Sequence, residues 1–142
     1  MTKVAIAAPN EQAAQAAQDI VESGGNGIDA AIAASLVAMV NEVGIVSLSS
    51  GGFVTMTSAT APKPFTIDGW MDMPGRSQAC VGETGTWDIT TEYGGGVDVT
   101  IGPGSVAAHG AIAALAEAHQ RAGQLPWREL FPPAIEVARA GI

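Results

Sequence analysis

The stretch Gly24-Gly25-Asn26-Gly27-Ile28-Asp29-Ala30-Ala31-Ile32-Ala33-Ala34 decides the fold. One helix ends on its glycine pair and a second begins at once. Gly24 or Gly25 can adopt the left-handed conformation that closes a helix without a Cβ clash. Asn26 can accept from the free N–H groups of the second helix, and Asp29 suits its positive end. From Ile28 to Val40 only Asp29 and Ser35 are polar. A helix apolar on every side belongs inside a large core.

Working outward, Pro9-Asn10 opens the preceding helix, with Asn10 as cap and Ala13, Ala17, Ile20 and Val21 on its apolar face. Met1 to Ala8, small and partly β-branched, reads as a short strand. The segment from Gly51 to Ser58 favours a strand through Phe53, Val54, Thr55 and Thr57. Pro62 and Pro64 mark a turn, and Phe65-Thr66-Ile67-Asp68 returns as its partner. From Trp70 to Tyr93 no period persists and a long loop is expected, of the kind that serves function or lies under a partner. Val97, Val99 and Ile101 alternate with Asp98 and Thr100 as a short strand. A helix is expected over Ser105–Ala122, opened by Gly102-Pro103-Gly104-Ser105 and stopped by Gly123. Two shorter helices follow over Pro126–Leu130 and Pro133–Ala140, each with proline in its first turn.

Composition narrows the function. The 142 residues suffice for one domain with a real core, and 47% are hydrophobic against 14% charged. The net charge is −8 with no Lys/Arg cluster, which argues against nucleic acid or an anionic membrane surface as partner. So few charges leave part of the surface to pack on another polypeptide. Cys80 is the sole cysteine, so these residues form no disulfide among themselves. The apolar run Ile28–Val40 is shorter than the roughly 20 residues a bilayer demands. Met1–Ala8 is too short for a secretory signal and is cut by Pro9. The expected compartment is the cytoplasm, or the periplasm or exterior if a leader has been removed.

Several residues invite chemistry. Gly94-Gly95-Gly96 and Gly102-Pro103-Gly104 lack the lysine and the strand–loop–helix spacing of a phosphate loop. His109 and His119, ten apart, point to different faces of a helix and form no metal pair. His119 suits the negative end of its helix. Cys80 would need a base from elsewhere to act as a nucleophile. Ser49 and Ser50 read as turn hydroxyls, and Trp127 as a core anchor for the last two helices. The glycines of Gly51-Gly52-Phe53 either form a tight strand start or admit another strand or a substrate close to the backbone.

The opening stretch also resembles a segment near the start of the large subunit of gamma-glutamyltranspeptidases, which are N-terminal-nucleophile hydrolases. Gly102-Pro103-Gly104-Ser105-Val106-Ala107 and Leu125-Pro126-Trp127-Arg128-Glu129-Leu130, continuing through Pro133-Ala134-Ile135-Glu136, agree with the same family in the same order. The resemblance implies an α/β (α+β) fold: a portion of an αββα sandwich, comprising a helical layer and a few strands. It implies that residues 1–142 form a single incomplete domain. It further implies a precursor that cuts itself, freeing a threonine at the start of a separate small subunit. That threonine's hydroxyl attacks an amide carbonyl while its own α-amine serves as base. No catalytic residue is expected in this chain. The threonine motif is not found here, and Thr2 stands in the wrong place for it. The implied partners are that small subunit, in a hetero-oligomer, and a small-molecule amide; no metal or organic cofactor is implied.

This chain departs from the family pattern at two places. Glu-Pro-His-Ser-Ser-Gly is replaced by Glu42-Val43-Gly44-Ile45-Val46-Ser47, and the glycine run that follows it is shorter. After Asp68, where the family has Asp-aromatic-Arg-Glu, the chain reads Asp68-Gly69-Trp70-Met71. In the family that arginine grips the α-carboxylate of the glutamyl group, a task for a planar two-pronged donor. Trp70 cannot pair with a carboxylate but can stack on an apolar or aromatic acyl group. Trp70 and Arg76 are therefore the candidate substrate-binding residues. Either Arg76 replaces the missing arginine, or it is an ordinary surface arginine and the acyl group is not glutamyl. A non-catalytic binding or scaffold module is the rival from another class.

Overall fold

A computed structural model describes residues 4–57, 63–74 and 85–141. The chain separates into two compact units, Met1–Trp70 with His109–Ile142, and Met71–Ala108.

The first unit is built on a helical hairpin. Helix α1, Glu11–Glu22, starts where the Asn10 side chain accepts from the Ala13 amide at 2.9 Å. Gly24 closes it at φ 95°, the left-handed conformation expected of one glycine of the pair. Gly25 serves differently: a Cβ there would lie 2.7 Å from Ile20 Cγ2 and 3.1 Å from Leu125 Cδ1. Helix α2, Gly27–Asn41, carries a full capping box. Asn26 Oδ1 accepts from the amides of Ile28 and Asp29, and Asp29 Oδ2 accepts from the Asn26 amide at 3.0 Å. The far ends of α1 and α2 are joined by reciprocal amide bonds between Asn10 and Asn41, at 3.0 and 3.1 Å. Ile32, Ala33, Leu36 and Val37 of α2 are buried against Ala13, Ala16 and Ile20 of α1 and against Leu115, Leu130 and Ala134. The all-round apolar helix is thus the centre of the core.

Strands β1, Gly52–Met56, and β2, Phe65–Gly69, pair antiparallel with Phe53 opposite Asp68 and Gly52 opposite Gly69. Helix α3, Ala111–Ala122, packs on both, and helix α4, Pro132–Ala140, packs on α2. Trp127, in a 3₁₀ turn over Trp127–Leu130, meets Phe131 edge-on at 5.1 Å, and both pack against the core as an anchor should.

The second unit is a hairpin of β3, Trp87–Thr91, and β4, Val97–Ile101. Tyr93–Gly95 forms the 3₁₀ turn between them, with Gly94, Gly95 and Gly96 all at positive φ. The triple glycine is a hairpin turn.

Several expectations are refined or corrected. Residues 4–8 form no strand, since no described segment pairs with them. The stretch expected as loop over Trp70–Tyr93 contains β3, whose Trp87, Ile89 and Thr91 alternate with Asp88 and Thr90 and find their partner in β4. The helix expected from Ser105 starts at Ala111. Gly102-Pro103-Gly104-Ser105 is an isolated 3₁₀ turn rather than a helix opening, because Ala108 is held extended by two backbone bonds to Asp72, at 2.7 and 3.2 Å. The short helix expected over Pro126–Leu130 is present as the 3₁₀ helix Trp127–Leu130. His109 accordingly precedes α3 instead of lying on it.

Candidate acyl pocket wall

Trp70 follows β2 directly. Its backbone N–H donates to Asp68 Oδ1 at 2.9 Å, a local turn that short acidic side chains favour. The pairing of Phe53 with Asp68 brings Phe53 and Trp70 side by side, and their rings stack at 5.5 Å between centroids and 7° between planes. Both remain exposed, at 58% and 56%. Alternation along the ladder explains it. Met56 is buried and Val54 packs on the helical core, while Phe53, Thr55, Thr66 and Asp68 are exposed on the other face. There the hydroxyls of Thr55 and Thr66 share a 2.9 Å hydrogen bond.

Between β1, α2 and α3 runs an apolar groove of about 400 Å³, lined by Ile32, Val54, Ala111 and Leu115 among others, with Ser35 and Ser50 as polar points. Gly51 and Gly52 stand along it, and a Cβ at Gly52 would meet nothing within 4 Å. Room therefore exists beside this backbone for a further chain or a ligand. At Gly69 the opposite holds. A Cβ there would lie 2.5 Å from Ala114 Cβ and 2.6 Å from the Gly110 carbonyl oxygen, so bare backbone seats β2 on α3.

The sequence brought out Trp70 but not Phe53 as its neighbour. Counting across the hairpin would pair them only with the turn length known. Arg76 and Cys80 lie outside the described residues. His119 does more than face a helix end: its Nε2 lies 2.7 Å from the Leu125 carbonyl oxygen and 3.9 Å from Asp29 Oδ1. Asp29, fully buried, also accepts from the backbone amides of Gln124 and Leu125, at 3.1 to 3.2 Å and 3.1 Å. Among the described residues no cluster of three His, Cys, Asp or Glu is placed to hold a metal ion.

The family model for gamma-glutamyltranspeptidase matches residues 13–142, and the chain belongs to that family. It is 33% identical over 137 residues to the glutathione hydrolase proenzyme of Pseudomonas aeruginosa, covering 96% of this chain and 23% of that protein. Glutathione hydrolase 3 of Arabidopsis thaliana is 30% identical over 137 residues, 96% of this chain and 20% of its own length. Among solved structures, the gamma-glutamyltranspeptidase of Pseudomonas nitroreducens complexed with L-DON superposes with a TM-score of 0.70 at 29% identity, over 96% of this chain and 38% of that one. The Helicobacter pylori gamma-glutamyltranspeptidase gives 0.73 over 100% of this chain and 39% of its own; at 22% identity it bears on the fold alone. The mixed helices and strands are thus part of the N-terminal-nucleophile hydrolase fold. The chain spans less than a quarter of the length of these two curated relatives.

Proposed function

We propose that this chain is the N-terminal part of the large subunit of an amidohydrolase or acyltransferase of the gamma-glutamyltranspeptidase type, in which it supports the site and forms part of the acyl pocket wall. The nucleophile is the threonine at the start of a small subunit. Its hydroxyl oxygen bonds to the amide carbon, and its α-amine takes the hydroxyl proton. Collapse breaks the C–N bond, and the leaving amine departs with that proton. Water or an amine acceptor then releases the acyl group, while N–H donors hold the charge on the carbonyl oxygen.

The observation that carries this reading is the family match over nearly the whole chain. Its support is a surface with large apolar side chains in the open. Val43 and Ile45 are 74% and 80% exposed, and the outer face of β1–β2 presents Phe53 and Trp70. Large apolar side chains exposed in this way are what a protein covers with another layer.

A second reading keeps the chemistry and changes the acyl group. It is favoured by Trp70, which stands where the family has its carboxylate-gripping arginine and is stacked on Phe53. Release of p-nitroaniline from gamma-glutamyl-p-nitroanilide and from neutral acyl anilides separates the two. The complete enzyme is expected to turn over an anilide, and residues 1–142 alone none. Preference for the glutamyl substrate, lost in Arg76→Ala, would establish the first reading and dispose of the second. A preference for neutral acyl groups, indifferent to Arg76→Ala, would do the reverse.

A further inference from the structure

Strand β1 is paired on one side. Among the described residues its sole partner is β2. The successive residues Gly52, Phe53, Val54 and Thr55 all line the groove between β1, α2 and α3, although neighbouring side chains of a strand point to opposite faces. The groove therefore runs along the edge of β1 that β2 leaves unpaired. Its floor is one face of α2, carrying Ile28, Ile32, Ser35 and Met39 at helical spacing, with Ala111 to Ala118 of α3 beside it. From Ile28 to Met39 the helix rises about 16 Å, and a five-residue strand spans about 17 Å, so the trough has the length of one strand.

Two observations bear on what fits there. The hydroxyls of the lining are already engaged: Ser35 Oγ donates to the Ala31 carbonyl at 2.8 Å, Ser50 Oγ to the Ser47 carbonyl at 2.7 Å, and Thr55 shares its bond with Thr66. The hydrogen-bonding capacity left along the groove is the outward backbone of β1, which another strand satisfies residue after residue. Gly52–Met56 also carries no charge, no proline and no bulge, the features that guard natural edge strands. We infer that β1 is an interior strand of the complete enzyme: an extended segment from beyond Ile142 pairs with its free edge and lowers alternate apolar side chains onto α2 and α3. The inference rests on the proposed function in one respect, that the chain is part of a longer enzyme. It covers 23% and 20% of the two curated relatives, which leaves ample polypeptide to supply the strand.

Single-residue hydrogen exchange on the complete enzyme tests the pairing. In a strand paired on one side every second amide faces outward and exchanges freely. With the groove filled, every amide of Gly52–Met56 should exchange at least about 100-fold more slowly than an exposed one. Photo-methionine incorporated in place of methionine then identifies the occupant, because Met39 lines the groove and the replacement is close to it in size. Cross-links from Met39 should reach a segment beyond Ile142. Fast and slow amides alternating along β1, or Met39 cross-links confined to residues 1–142 of the same or a second copy, would overturn the inference. An enzyme that cleaves acyl anilides while showing either result would keep the proposed function and lose only the added strand. An enzyme that cleaves none, yet has β1 protected throughout and Met39 cross-linked beyond Ile142, would do the reverse.

Discussion

Asp29→Ala should destabilise the protein by about 3 kcal/mol, because it strips several buried or half-buried amide donors of their acceptor at once. Asp29 is fully buried and accepts from Asn26 at the start of α2 and from Gln124 and Leu125 after α3. One carboxylate thereby closes the capping box of the central helix and fastens the α3–α4 connection to it. Asp29→Asn keeps the shape but offers one acceptor oxygen in place of two, and should lose about half as much. Hydrogen exchange checks the cause. The Gln124 and Leu125 amides should lose protection in Asp29→Ala beyond the general fall in stability. Protection unchanged at those two amides would show that the carboxylate does not hold this connection.

The second large effect is steric. Gly110→Ala would place a Cβ 2.5 Å from the Gly69 carbonyl oxygen and 2.8 Å from its carbon, and backbone cannot swing aside as a side-chain tip can. Gly69→Ala meets Ala114 Cβ and the Gly110 carbonyl from the other side. Each should cost about 3 kcal/mol, the upper range of overpacking. Gly52→Ala is the control. It sits opposite Gly69 in the same ladder, yet its added Cβ would meet nothing within 4 Å, so its effect should stay within about 0.5 kcal/mol. Thermal unfolding of the three variants ranks them. Equal losses at all three would contradict a close approach of β2 to α3.

The helical layer is legible in the sequence because its signals are local. Asn26 and Asp29 cap α2 from within three residues, and its apolar run needs no partner to be recognised. The β1–β2 hairpin is legible for the same reason, through Phe53–Thr57 and the return at Phe65. What escapes is set at a distance. The second role of Asp29 lies 95 residues away at Gln124. The start of α3 is fixed by the pairing of Ala108 with Asp72 and the seating of Gly110 on Gly69, which a local reading of Ser105-Val106-Ala107 does not contain. Strand β3 hides because Trp87, Ile89 and Thr91 are too few to show a period without β4 beside them. Trp70 stands out as a departure from the family pattern, whereas Phe53 becomes its partner only through the hairpin register.

The claim beneath all of this is that the reactive hydroxyl belongs to another polypeptide. Acid-quenching the complete enzyme during turnover of an acyl anilide, then mapping the acylated peptide by mass spectrometry, tests it directly. The acyl group should be found on the first residue, a threonine, of a chain other than this one. An acyl group on any serine, threonine or cysteine within residues 1–142 would contradict the account.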